Sequence, residues 1–290
     1  MKLIVKNLCK QYGNGILALD DVSLTVETGM FGLLGPNGAG KSSLMRTLAT
    51  LQEADSGSVF LDTIDVLNNK MAVRKLLGYL PQEFGVYPRT SAFDLLDYLA
   101  ILKGYTQASA RKEMVHYLLQ KVNLYESRKK HVSSFSGGMR QRFGIAQSLI
   151  GEPKLIIVDE PTAGLDPGER NRFYNILSEI SENIIVMLST HIVQDVRELC
   201  TNMAIMNKGK VLYSGKTDDA LALIKGKVWE RTVEKKELEL FKQQHQIISS
   251  KLVSGTPMVH VFSDDAPGAD FKRAEETLED VFFARINQLI

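Results

Sequence analysis

The sequence predicts an α/β fold organised on a parallel sheet buried on both faces, followed by a smaller α+β unit. Three observations carry this. Leu155–Val158 and Ile184–Leu188 are continuous apolar runs without polar alternation, the pattern of strands covered on both sides. A third run, Met30–Leu34, leads into Gly35–Ser42 and then into Leu44–Leu48, which reads as a helix. Past Gly215 the pattern changes to short strand-like runs between charged segments.

Gly35-Pro36-Asn37-Gly38-Ala39-Gly40-Lys41-Ser42 fits G-x-x-x-x-G-K-[ST] without a mismatch, and Ser43 extends it. Strand, glycine-rich loop and helix is the context that turns this string into a phosphate site. Glycines let the loop curl with its N–H groups inward. Those donors and the helix N-terminus attract phosphate oxygens. Lys41 adds a positive charge near the terminal phosphates, and the Ser42 hydroxyl can ligate Mg²⁺.

The chain opens with an edge-type strand, Lys2–Cys9, and a glycine-bounded turn that holds Tyr12. The flat ring of Tyr12 can stack on a base. A loosely alternating strand through Leu19, Val22, Leu24 and Val26 follows. Asp55–Ser58 reads as a turn before the strand Val59–Leu61, and Gly78–Leu80 as a short strand ending at Pro81-Gln82. The Gln82 amide oxygen can reach Mg²⁺ and its amide group a water. Helices are expected after Thr90-Ser91 and over Ala110–Val122. Ser136 reads as the N-cap of a helix continuing to Ile150. Gly137 and Gly138 at its first positions leave its positive end sterically bare, which suits a second anion site. Asp159 and Glu160 end the strand from Leu155, where ligands of parallel sheets bind. Asp159 is placed to hold Mg²⁺ through water, and Glu160 to orient and deprotonate a water. Ala163–Asp166 lies in a loop, a helix spans about Glu169–Ile180, and His191 again follows a buried strand.

Bulk properties exclude several classes. The 290 residues are 44% apolar with a formal net charge of +1, so no nucleic acid is expected as partner. Cys9 and Cys200 stand apart without a partner motif, and the five histidines show no metal-ligand spacing. The N-terminus is charged too early for a signal peptide. No apolar run reaches the roughly 18–20 residues needed to cross a bilayer, so any membrane part is expected from another chain.

Taken together, Gly35–Ser42, Gln82, Ser136–Gln141, Leu155–Glu160, Ala163–Asp166 and His191 resemble the ordered motifs of an ATP-binding cassette subunit. They match its phosphate loop, Q-loop, signature, Walker B strand, D-loop and switch histidine, and Tyr12 matches its adenine-stacking aromatic. Phe135 stands where the family usually has leucine. The resemblance covers about residues 2–215. It implies a P-loop NTPase fold: a RecA-like core, an antiparallel β subdomain and an α-helical signature subdomain at about residues 85–150. It also implies ATP and Mg²⁺ as ligands and Glu160 as the hydrolytic residue, with Gln82 and His191 beside it. Ser136, Gly137, Gly138, Gln141 and Asp166 are expected to close over a nucleotide held by a second cassette. The implied partners are that second subunit, identical or related, and a membrane permease approached through the Gln82–Pro88 loop. The expected location is cytoplasmic, on the inner face of the cell membrane.

The domain division expected is 1–220 for the cassette and 221–290 for an α+β appendage. In the appendage Lys227–Val233 reads as a strand, Lys235–His245 as a charged helix, and Gln246–Val253 with Met258–Phe262 as a hairpin around Gly255-Thr256-Pro257. Glu275–Leu289 reads as a closing helix. Its Thr277–Phe282 segment resembles the ending of cassettes serving drug, antibiotic or polysaccharide exporters. A rival reading is a soluble cassette that switches a macromolecular partner. Long heptad inserts and a second cassette, which mark such relatives, are missing from the sequence. A GTPase reading fails because Asn207-Lys208-Gly209-Lys210 ends in lysine where aspartate is required.

Overall fold

Alternation decides which way the central strands face. In the segments β3 (Gly29–Leu34), β7 (Leu155–Asp159) and β8 (Ile185–Thr190), successive side chains enter opposite cores. Leu34, Ile156, Val158, Val186 and Leu188 join one cluster, while Phe31, Leu33, Leu155, Ile157, Ile185 and Met187 join the other. Every residue of β7 and β8 is buried. The computed structural model describes residues 1–82, 85, 89–162 and 164–290.

Three sheets and ten helices are described. β1 (Lys2–Gln11), β2 (Leu17–Glu27), β4 (Ser56–Leu61) and β5 (Ile64–Asp65) form an antiparallel sheet in the order β2-β1-β4-β5. β3, β6 (Leu77–Leu80), β7, β8, β9 (Asn202–Asn207) and β10 (Lys210–Lys216) form the central sheet, β10-β9-β3-β8-β7-β6. It is parallel except for β10, which returns antiparallel to β9. The third, antiparallel sheet has the order β12-β13-β11-β14, from β11 (Val228–Thr232), β12 (Ile247–Val253), β13 (Thr256–Phe262) and β14 (Lys272–Arg273).

The helices fill the connections. α1 (Lys41–Leu48) follows β3, and α2 (Lys70–Leu76) precedes β6. α3 (Ala92–Leu102), α4 (Ala108–Lys121) and α5 (Gly137–Ser148) form a helical layer between β6 and β7. Their buried residues Leu96, Leu119 and Phe143, with Val132 of the turn before α5, belong to the same core as one face of the central sheet. α6 (Pro167–Ser181), α7 (Val193–Leu199), α8 (Thr217–Ala222), α9 (Leu238–Gln244) and α10 (Leu278–Ile286) complete the chain. Among the described residues no helix is long and apolar enough to cross a membrane.

Several boundaries differ from the sequence reading. Ser56–Ser58, expected as a turn, already belong to β4, because Lys6 pairs with Ser58 and Cys9 with Ser56 on β1. The appendage hairpin turns one residue earlier than expected. Ser254 (φ 49°) and Gly255 (φ 84°) both take left-handed backbone, the type I′ geometry that matches strand twist. Thr256 and Pro257 are therefore strand residues, Pro257 opposite Leu252. The charged helix forms only over Leu238–Gln244, and the closing helix over Leu278–Ile286. Lys208 (φ 47°) and Gly209 (φ 80°) make the same tight turn between β9 and β10.

The third sheet has a small core of its own around Phe241, Val259, Val261 and Phe271. Val228, Ile248, Leu278 and Val281 instead join the main core. At this seam α10 is capped by a reciprocal box: Thr277 Oγ accepts from Asp280 N–H, and Asp280 accepts from Thr277 N–H. Asp280 also lies 2.7 Å from Nδ1 of the buried His260. Burial would raise the Asp280 carboxyl, but hydrogen bonds from His260 and Thr277 outweigh it and hold it below its ordinary value of 3.8. Its contribution to stability is thus present at neutral pH and is lost as pH falls through that lowered value. Asp280→Ala removes the carboxylate half of this capping box and leaves His260 Nδ1 without its Asp280 partner. The expected loss is about 2–3 kcal/mol, measured by denaturant titration at pH 7.

Candidate nucleotide-binding site

Four neighbouring parallel strands, β3, β8, β7 and β6, end side by side. Their ends and the segments just after them carry the phosphate loop, His191, Asp159-Glu160 and Gln82. Sheet order therefore gathers residues far apart in the chain at one edge, where parallel sheets bind ligands.

The phosphate loop needs its glycines for two separate reasons. Gly40 is the N-cap of α1 at φ 104°, a left-handed conformation, and a Cβ there would run into the Ala18 carbonyl. No side chain caps α1, so its first N–H groups are left for phosphate oxygens. Asn37 and Gly38 are exposed, Pro36, Ser42 and Ser43 half-buried, and Gly35, Ala39 and Lys41 buried. The Lys41 ammonium donates to the Gly35 carbonyl at 2.7 Å and the Pro36 carbonyl at 3.2 Å, so it is held inside the loop. Burial pushes its pKa down, and the Glu160 carboxylate 3.5 Å away opposes that.

Glu160 is the point on which the predicted residues converge. Its Oε1 faces Lys41, while its Oε2 lies 3.3 Å from His191 Nδ1 and 3.5 Å from Gln82 Nε2. Contacts of this length are loose, and such bonds shorten in catalytic complexes. The Glu160 backbone is left-handed at φ 45°, a strained conformation for a residue with a Cβ that surrounding structure must impose. Its N–H donates to the Ser189 carbonyl at 3.0 Å and to Ser189 Oγ at 3.3 Å. Ser189 Oγ in turn donates to Asp159 Oδ1. Ser189 orients both acids, and the sequence reading missed it. The available signal was the switch from apolar residues to Ser189-Thr190 at the end of β8.

Tyr12 is fixed beside the loop by its hydroxyl, which bonds Ser43 Oγ at 3.0 Å and donates to Gln52 Oε1 at 2.8 Å. Gln52 is a second residue that sequence reasoning missed.

Ser136 caps α5 by accepting from Met139 N–H at 3.2 Å. Ser136 and Gly137 are exposed. Among the described residues neither shares a hydrogen bond or ion pair with the phosphate loop or Glu160. The two glycines differ in purpose. Gly137 is open, whereas a Cβ on Gly138 would overlap the Glu169 carboxylate of α6. Glu169 pairs with Arg142 at 3.2 Å and Arg172 at 2.8 Å. Gly138 is thus required by packing of α5 on α6, a reason independent of any anion. Gln141 points its buried Oε1 at no hydrogen-bond partner among the described residues. Asp166 caps α6 by accepting from Glu169 N–H at 2.8 Å. Ala163, at the start of that loop, and residues 83, 84 and 86–88 of the Gln82–Pro88 loop lie outside the described residues.

The oxygen donors Ser42, Gln82 and Asp159 fit Mg²⁺, a hard cation bound by few protein ligands with water and phosphate completing its shell. Among the described residues there is no group of three or more His, Cys, Asp or Glu that could hold a metal ion.

A left-handed glycine turn opening a helix, with acids at the ends of adjacent parallel strands, defines a phosphate-loop nucleotide-binding protein of the α/β class. The profile of the ABC transporter family matches residues 19–163. The uncharacterized ABC transporter ATP-binding protein YxlF of Bacillus subtilis is 32% identical, over 97% of this chain and 98% of that protein. The doxorubicin resistance ATP-binding protein DrrA of Mycobacterium tuberculosis is 33% identical, over 76% of this chain and 67% of that protein. A dimeric ATP-binding cassette solved in a post-hydrolysis state with ADP and Pi superposes with a TM-score of 0.67 at 25% identity. It covers 74% of this chain and 98% of the solved one. The chain belongs to the ABC transporter family. It has the P-loop NTPase fold of that family's cassettes and is an ABC ATPase.

Proposed function

We propose that this chain is the energy-coupling ATPase of an exporter, working as a pair of cassettes on a separate membrane permease at the inner face of the cell membrane. One observation carries the reading: Lys41, Gln82 and His191 converge on Glu160, while the exposed Ser136-Gly137 helix start lies outside that group. One chain thus holds a hydrolytic half-site and a spare anion-binding helix end. Two chains, arranged head to tail, supply both to each nucleotide. The dimeric state of the solved cassette supports this pairing. Names of relatives, including the linearmycin resistance ATP-binding protein LnrL of Bacillus subtilis (31% identical, 77% of this chain, 72% of that protein), support export.

The roles follow from position. The loop from Gly35 to Ser43 and the start of α1 bind the phosphates, and Tyr12 stacks on adenine. Lys41 balances charge on the terminal phosphates. Glu160 orients the attacking water and takes its proton. Gln82 and His191, on the same oxygen of Glu160, fix that water and the γ-phosphate. Ser136, Gly137, Gly138 and Gln141 of the partner, with Asp166 beside them, cover the γ-phosphate. Ser42, Gln82 and, through water, Asp159 would hold Mg²⁺, which neutralises phosphate charge when bound. Catalysis here is positioning plus charge stabilisation in a water-poor interface.

The permease half of the proposal is tested by co-expression with a neighbouring gene product that carries about six apolar spans of roughly 20 residues each. Co-purification and a changed ATPase rate are expected. An exporter partner that neither binds the chain nor changes its rate contradicts the assignment.

A further inference from the structure

Asp195, on α7, is completely buried, and the roles assigned above leave it unused. Three hydroxyls donate to its carboxylate. Thr162 Oγ1 does so at 2.6 Å and Thr190 Oγ1 at 2.8 Å, both to Oδ2, while the Tyr174 phenol donates to Oδ1. Each donor belongs to a different part of the candidate site. Thr162 lies two residues beyond Glu160. Thr190 immediately precedes His191, and its Oγ1 also accepts from Ile192 N–H at 2.9 Å, so the backbone on both sides of His191 is held. Tyr174 stands on α6, the helix capped by Asp166. Burial, then the bond to Asp195, push the Tyr174 phenol far above its ordinary range, so it remains a donor at every working pH.

We propose that Asp195 is a positioning residue for hydrolysis, tying the turn after Glu160, the turn bearing His191 and the helix after Asp166 into one unit. The inference rests on the roles of Glu160 and His191 given under the proposed function. A buried anion with three hydroxyl donors is a costly arrangement unless every bond is made, because charge-assisted bonds in a dry interior are strong and an unmade one is heavily penalised. The arrangement therefore admits little play, and two of the elements it joins, the turns carrying Glu160 and His191, must meet at one γ-phosphate. Hydrolysis is sensitive to this: displacement of a reacting group by about 1 Å costs on the order of 10²-fold.

The test uses two substitutions at Thr190 in the full chain. Thr190→Val keeps the shape and removes the hydroxyl, while Thr190→Ser keeps the hydroxyl and removes a methyl. Valine is expected to lower kcat at least about 10-fold with KM for ATP unchanged within about 3-fold, and serine to retain kcat within about 3-fold. Thr162→Val and Thr162→Ser should repeat the pattern from the Glu160 side. Full turnover in Thr190→Val and Thr162→Val, equal losses for valine and serine, or a loss confined to KM would overturn the proposal. His191→Ala reports separately: full turnover in that variant removes the role given to His191, while the Thr162 pair still decides the role of Asp195 through Glu160.

Discussion

Glu160→Gln lowers kcat for ATP hydrolysis at least about 10²-fold, the scale for removing a general base, while ATP remains bound. Glutamine is nearly the shape of glutamate, so the strained backbone at φ 45° and the two bonds to Ser189 have no reason to change. What changes is the carboxylate, the proposed proton acceptor and the counter-charge 3.5 Å from Lys41. The groups proposed to bind phosphate, the loop amides and Lys41, are retained. Removing the negative charge lessens repulsion of the triphosphate, so affinity for ATP holds or rises. Turnover is measured by phosphate release and binding by equilibrium titration with ATP. Near-normal turnover would remove Glu160 from its role.

Ser136→Arg abolishes ATP-driven pairing of the chain while leaving ATP binding to the single chain intact. Ser136 is exposed at the start of α5 and, among the described residues, its hydroxyl bonds only the turn it caps. Losing the cap costs about 1 kcal/mol of local stability, which the packing of α5 through Phe143, Ile145 and Ala146 tolerates. The larger effect is steric, because an arginine projects from the helix end that, on the proposed pairing, meets a phosphate. Light scattering of the Glu160→Gln protein in ATP, with and without Ser136→Arg, measures this. The expected outcome is a dimer without the second substitution and a monomer with it. A dimer in both would contradict the placement of Ser136 at the interface.

What could be read from sequence was what is local. The phosphate loop is a continuous string between a strand and a helix, so its identity needs no knowledge of the rest of the chain. The gathering of Asp159, Glu160, His191 and Gln82 at one edge was legible because each ends or follows a strand, and strand ends in a parallel sheet share one edge. Gly138 was read as leaving the helix end bare, but it is buried because Glu169 reaches it from another helix. Ser189 and Asp195 act through contacts between elements. Nothing in a short polar stretch announces that its hydroxyl will meet an acid on another element. β9 escaped for a related reason. Met203-Ala204-Ile205-Met206 has only one β-branched residue, and pairing with β3 makes it a strand. The expected Asp55–Ser58 turn failed the same way, with tertiary pairing to β1 overriding local turn chemistry.

Mixing two impaired variants tests the shared site most directly. Lys41→Ala spoils the phosphate loop and keeps Ser136, and Ser136→Ala, which adds no bulk that would block pairing, does the reverse. If each nucleotide is held by the loop of one chain and the helix end of the other, a mixed pair rebuilds one intact site. ATPase activity should then rise well above the sum of the two variants measured alone. Activity that stays at that sum would show that one chain hydrolyses ATP with its own residues, and the composite site would be wrong.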